Sequence, residues 1–312
     1  MTSYRTMIMM FHSILTDTKL QSRYIQYPRQ EMSARDFREI IEGLQARDYQ
    51  FISLNELHTR LEQNDRELKR FPFVCFTFDD GYTNNYTHAF PIMEEYQIPF
   101  TLYLTTGYPD RDVIHISEAV EDLVRNRPNM VLTIDGDTLT YDTSTNDGKI
   151  KAIREIEQVL AQTCSTVNEM VELLQINAEQ YRHYGLNWNQ IGKLNESPLC
   201  TIGAHTRTHP NLTLLDMDDL RKELVEPKAR IEAVIGEEVV HFSYPYGRYN
   251  ENVREEAIKA GYKMITTTRG GPFIPTNFDL YALPRVCGVP DFQFEDSDSL
   301  ANRGVKPSEK LQ

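Results

Sequence analysis

The chain has 312 residues, 40% hydrophobic and 25% charged, with a formal net charge of -13. This length can bury a substantial core in one large domain or two ordinary ones, and the composition is that of a globular chain rather than a disordered or membrane-spanning one. The negative balance argues against a nucleic-acid partner, which needs clustered Lys and Arg, and no run approaches the roughly 18 apolar residues of a spanning helix.

The first predicted element is an apolar strand over residues 7–12. Its apolar part, Met7 to Phe11, is shorter than the roughly 7–15 residues of a signal-peptide core, and no small-residue cleavage pattern follows, so a non-exported, cytoplasmic protein is expected. A helical pattern over 34–46 precedes strands predicted at 73–79 and 100–105. After residue 200 come strands at 201–205, 239–244 and 263–267, with a helix over 218–235 among them. Alternating β and α elements imply a parallel sheet, open or closed into a barrel, with active residues at the C-terminal ends of its strands.

Residues 113–197 break this rhythm with a helix at 117–125, a hairpin turning at Asp135–Gly136 and a long helix over 147–161. They read as an insertion packed on a single unit spanning 1–290, with a structural or substrate-shaping role. The end of the chain, 291–312, has little apolar content and is expected to be a flexible tail. Four cysteines without C-x-x-C spacing point to reduced thiols rather than a zinc knuckle or disulfide framework.

The strongest chemical signal is FVCFTFDDGYTN, residues 73 to 84, an apolar strand ending in two carboxylates and a glycine. Successive strand side chains point to opposite sides, so Asp79 and Asp80 can do different work at one strand end. The bland alternative is an Asp-Gly turn with a helix cap. GAHTRTHPNL, residues 203 to 212, places His205 and His209 four apart after another short strand, and Pro210 disfavours the α conformation at His209, which puts the pair on a loop. Two imidazoles and a carboxylate form a set suited to Zn²⁺, with positions left for water and substrate.

TFDDG, H-T-x-x-H-P and the later SYPYG at residues 243 to 247, in this order on alternating β and α elements, resemble the polysaccharide deacetylase family of carbohydrate esterases. The resemblance covers about residues 5 to 290 and is weakest in the insertion. It implies a distorted (β/α)7-type barrel carrying a mixed helical and hairpin insertion, with one divalent metal, Zn²⁺ foremost and Co²⁺ or Ni²⁺ also compatible. The implied reaction removes acetyl groups from an N-acetylated sugar or glycan precursor, a carbohydrate substrate of glycan biosynthesis. By the same resemblance Asp80, His205 and His209 are metal ligands, Asp79 is the general base, and the Tyr246 backbone N–H stabilises the oxyanion. Two other readings stay open: a sugar-binding protein that has lost catalysis, and a hydrolase of a non-sugar C–N amide.

Two departures from the family pattern stand out. The third motif often opens with an arginine that steadies the base, but here Ser243 occupies that place, and Arg285 in YALPRV is the candidate replacement, against a structural ion pair. The histidine that usually protonates the leaving amine from a C-terminal motif is also missing, since no histidine follows His241. In the branch resembling poly-N-acetylglucosamine deacetylases the motifs are circularly permuted and this histidine lies near the N-terminus, which makes His12 in FHSI the candidate acid. His58, His88, His115, His183 and His241 read as structural or solvent-facing.

Overall fold

A computed structural model describes residues 6–289, apart from 135–136, 165 and 272. Seven strands lie side by side in the order Met264–Thr266, His241–Ser243, Cys200–Ala204, Phe100–Leu104, Phe73–Phe78, Met7–Phe11 and Val286–Cys287. All neighbouring pairs are parallel, and Gln50–Phe51 adds to the start of Phe73–Phe78. Met7–Phe11, Phe73–Phe78 and Phe100–Leu104 are buried at every position. A parallel strand covered on both faces has no water-facing side, which explains why these segments read as nearly continuous apolar runs.

One irregular segment joins the two edges of this sheet. Leu283 bridges to Thr266 in parallel, while Val286 and Cys287 pair with Met9 and Met10 of the first strand. The result is a distorted (β/α)7 barrel, as expected from the resemblance. Along Phe73–Phe78 the side chains alternate: Val74, Phe76 and Phe78 pack towards the helices, whereas Cys75 packs inward with Tyr103 and Met264. The same alternation puts Thr77 and then Asp79 on the inner face.

The helices that cover the barrel begin at capping side chains. Ser33, Ser53 and Asp216 accept backbone N–H groups at the starts of Ala34–Gln45, Leu54–Glu62 and Met217–Ile235, satisfying donors that have no partner inside the helix. In the insertion, Asn129–Ile134 and Asp137–Asp142 pair antiparallel, and the predicted turn residues Asp135–Gly136 lie outside the described residues. Helices Ile116–Arg125 and Asn146–Thr163 match their predicted positions to within two residues. Two further helices, Val167–Leu173 and Trp188–Asn195, went unpredicted because seven or eight residues carry too little periodicity.

Val120, Val124, Met130, Ile153 and Ile156 form a small core of their own, completed by Ile25 from the N-terminal segment. The predicted tail lies outside the described residues. Among the described residues, no helix is long and apolar enough to cross a membrane.

Candidate metal centre and active site

The sequence-predicted residues converge on the C-terminal end of the barrel. Phe78 pairs with Phe11, and the Asp79 N–H donates to the Phe11 carbonyl at 2.9 Å, so strand register sets His12 level with Asp79 on the neighbouring strand. Asp80 follows with φ 75, a left-handed turn that swings its carboxylate away from the strand direction and is rare for a residue with a Cβ. His205 directly follows Cys200–Ala204, and His209 lies four residues on in a loop, also left-handed at φ 60.

Asp80 Oδ1 faces both imidazoles, 3.4 Å from His205 Nε2 and 3.3 Å from His209 Nε2, and makes no hydrogen bond although it is buried. One donor atom from each of the three residues lies within 4.8 Å of the others. The Nδ1–H of His205 donates to the Ser243 carbonyl at 2.7 Å, which leaves the lone pair on Nε2 turned towards Asp80. A metal-ligating histidine is held in its tautomer in this way, by a backbone carbonyl on its other nitrogen. An orphaned carboxylate oxygen and two oriented imidazoles therefore fit a divalent cation of the Zn²⁺ type. Burial disfavours the charged form of both histidines. It brings His209 to about 4, whereas at His205 the carboxylates of Asp80 and Asp79 outweigh burial and raise the pKa.

Asp79 is 2% exposed and is gripped by Arg285, which is 1% exposed. Nη1 and Nη2 of the guanidinium each donate to one carboxylate oxygen at 2.6 Å. The remaining donors reach Thr77 Oγ1 at 3.0 Å, Ser243 Oγ at 2.9 Å and the Thr267 carbonyl at 2.9 Å. Burial would raise the Asp79 pKa, but Arg285 outweighs it and holds the carboxyl below its ordinary range. Ser243 thus sits where the resemblance leads one to expect an arginine, and its hydroxyl accepts from an arginine arriving from the irregular segment before Val286–Cys287. Thr77 was missed in the sequence, although its place two residues before Asp79 puts it on the same face.

His12 has a buried Nδ1 without a hydrogen-bond partner, and its backbone carbonyl accepts from Asn85 Nδ2 at 2.5 Å. It is an electrostatic neighbour of Asp79, Asp80 and His209. Tyr246 has φ 58 and ψ 7 in the Pro245–Gly247 turn; the residue is 56% exposed, and its ring meets the His209 ring edge-on, centroids 4.7 Å apart.

A second group missed in the sequence is an aromatic stack beside the metal ligands. His115 lies between Tyr82, at 3.7 Å, and Tyr108, at 3.9 Å, with nearly parallel rings. Burial lowers His115 to about 4, so the ring is neutral near pH 7. Tyr82 belongs to the first motif, but nothing local in the chain announces that a histidine 33 positions later will lie on it.

Residues 68–265 match the model of the family described as polysaccharide deacetylase. The chain belongs to the polysaccharide deacetylase family. Membership makes it a hydrolase of carbon–nitrogen bonds other than peptide bonds, a deacetylase. A protein of Bacillus subtilis (strain 168) named as a polysaccharide deacetylase, YxkH, is 23% identical over 279 residues, covering 89% of this chain and 70% of that protein. Among solved structures, the Streptococcus pyogenes deacetylase PplD in complex with acetate matches with a TM-score of 0.62 and 19% identity, over 96% of this chain and 99% of that one. A de-N-acetylase from Aggregatibacter actinomycetemcomitans gives 0.59 at 15% identity, over 95% and 99% of the two chains. IcaB from Ammonifex degensii gives 0.58 at 19% identity, over 93% and 94%. At these identities the likeness to the solved polysaccharide deacetylases is one of fold.

Proposed function

We propose that this polysaccharide deacetylase removes the acetyl group from an N-acetylated sugar unit of a glycan or glycan precursor, with a divalent metal, releasing acetate and a free amine. The observation that carries this reading is the pairing of two differently held carboxylates at one strand end. Asp79 is kept ionised by Arg285, and Asp80 is turned towards two imidazoles.

Asp80, His205 and His209 would hold the cation, Zn²⁺ foremost with Co²⁺ or Ni²⁺ compatible. When bound it supplies Lewis acidity towards the acyl oxygen and a lower pKa for water. Asp79 takes the proton from the water that attacks the acyl carbon, a role open to a carboxylate that stays charged. Arg285 positions Asp79 and preserves its charge without touching substrate. The Tyr246 backbone N–H, in its left-handed turn, donates to the oxygen that gains negative charge in the tetrahedral intermediate. His12 gives a proton to the nitrogen as the C–N bond breaks, so that an amine rather than an amide anion departs.

Acetate release from a panel of N-acetylhexosamine monomers and oligomers, measured with metal-loaded protein, tests the reading. Expected are activity that disappears with chelator, a loss of roughly 10²–10⁴-fold in Asp79→Asn, and a loss of about 10²-fold in His12→Ala. A metal-loaded protein that frees no acetate from any sugar amide would overturn the proposal. A fully active His12→Ala would remove His12 from it.

A further inference from the structure

Residues 183–187 of the insertion dock against the chain that follows the two catalytic-end carboxylates. The Leu186 N–H donates to the Gly81 carbonyl at 2.9 Å, and Tyr82 and Gly185 form an antiparallel bridge. The Thr83 hydroxyl lies 2.8 Å from the His183 carbonyl and 2.7 Å from that of Gly185. This docking leaves a groove of about 460 Å³ lined by Thr83, Tyr108, Arg111, Arg182, Asn187 and Gln190 among others. The volume falls within the roughly 300–1,000 Å³ of small-molecule sites. Tyr108 belongs both to the groove and to the stack on His115, and its hydroxyl lies in the field of Asp80. Leu186 also lines the groove, and its hydrogen bond to Gly81 places that wall one residue along the chain from Asp80.

Its lining carries two guanidiniums, of Arg111 and Arg182, and a single carboxylate, of Glu179, beside the neutral polar groups of Thr83, Tyr108, His183, Asn187 and Gln190. Arg111 and Arg182 both reach the single carboxylate of Glu179, at 3.2 and 2.8 Å, and the Arg182 Nε has no partner. Asn187 and Gln190 form the capping box of Trp188–Asn195, each side-chain oxygen accepting the other's backbone N–H at 3.0 Å. Their NH₂ ends are left to donate to a ligand. The Thr83 hydroxyl hydrogen is directed at the two backbone carbonyls. Two guanidiniums and two amide NH₂ groups thus face one carboxylate, in a chain whose net charge is -13. A carboxylate or phosphate group only accepts, and gains charge-assisted hydrogen bonds from arginine that a neutral sugar hydroxyl does not.

We propose that this groove binds a carboxylate or phosphate group carried by a sugar unit adjacent to the one deacetylated, so that the substrate class is an anionic N-acetylated glycan. The inference rests on the deacetylase reading for its substrate, but the groove can be tested by binding alone. Calorimetry would compare three oligosaccharides: a neutral N-acetylhexosamine oligomer, one alternating N-acetylhexosamine with uronate, and one bearing glycerol phosphate esters. The proteins are the wild type and an Arg111→Ser/Arg182→Gln variant, with Arg111→Ser alone, at a side chain 62% exposed, as the version least able to disturb folding.

The wild type should bind at least one anionic oligomer more tightly than the neutral one, and the double variant should bind it about tenfold more weakly. The KM for acetate release should rise by a similar factor with kcat kept, and kinetics on the neutral oligomer should not change. Loss confined to the uronate oligomer assigns a carboxylate, and loss confined to the ester assigns a phosphate. Equal binding of neutral and anionic oligomers, or unchanged anion binding in both variants, overturns the proposal. Anion binding that weakens in the variants while no oligomer loses acetate would refute the deacetylase reading and leave the groove standing.

Discussion

A guanidinium carries five N–H donors, and in Arg285 all five are used: two on Asp79, and one each on Thr77, Ser243 and the Thr267 carbonyl. This full satisfaction is what allows a charged pair to sit at the barrel centre, where an unpaired ion costs several kcal/mol. A lysine could not reproduce the planar fork that spans both carboxylate oxygens. Arg285→Lys should therefore weaken the hold on Asp79 and let burial raise its pKa. The base is useful only when ionised, so the acid limb of the kcat/KM profile should move to higher pH by about one unit. An unmoved acid limb, together with lower thermal stability, would mean that the pair is structural only. Arg285→Met should be harsher, destabilising by about 3–5 kcal/mol because it strands a buried carboxylate.

At the scale of elements, the loop bearing His209 is fastened from two sides. Glu223 of the helix Met217–Ile235 accepts from the Arg207 and Thr208 backbone N–H groups at 2.8 and 2.9 Å and from the Thr208 hydroxyl at 2.6 Å. On the other side, the loop after Phe100–Leu104 donates from Thr106 to the Thr206 carbonyl at 3.2 Å and from Gly107 to that of Arg207 at 2.7 Å. These contacts hold Thr206 and His209 in left-handed conformations that a free loop would abandon. Gly107 is required by the close approach: a Cβ there would lie 2.5 Å from the Arg207 carbonyl oxygen. Gly107→Ala should force the loops apart, costing about 1–3 kcal/mol of stability and about tenfold in Zn²⁺ affinity, read by competition with a chromophoric chelator. Unaltered Zn²⁺ affinity would show that the docked loops do not set the ligand geometry.

Across the whole molecule, a buried ionic cluster joins the N-terminal segment to the insertion. Arg23 donates to Glu118, to Glu31 at 2.5 Å and to Glu121 at 3.0 Å, and all four side chains are buried. Three carboxylates surround one guanidinium, with Lys19 and Arg125 at the edge. Burial pushes Glu31 up to about 7, against the pull of Arg23 and with the repulsion of Glu118. An acid whose folded pKa is raised above its ordinary value near 4.5 binds a proton more readily when folded. Its contribution to stability is complete below about pH 4.5 and is lost as pH rises to about 7. His115, lowered to about 4, acts in the opposite sense over an overlapping range, so total stability conceals the Glu31 term. The difference between wild type and Glu31→Gln isolates it. Denaturant unfolding should show the variant gaining on the wild type between pH 5 and 7, at a slope of up to about 1.4 kcal/mol per pH unit. A flat difference across that window would place the proton elsewhere.

The amino-acid sequence by itself determined the strands and the order of the motifs. Parallel strands buried on both faces leave continuous apolar runs such as MIMMF and FVCFTF, and the turn that follows such a run must carry polar residues out to the barrel end. For that reason Asp79, Asp80, His205 and His209 were legible as candidates, each lying within a few residues of a strand it terminates. Arg285 could be named as a candidate to steady the base only through the resemblance, because its contact with Asp79 spans 206 residues and depends on an irregular segment that closes the barrel. The Tyr82–His115–Tyr108 stack, the Arg23 cluster and the groove beside the insertion left no local trace. Each is a meeting of side chains from separate segments, and only sheet register, barrel closure and the docking of the insertion decide which of them meet.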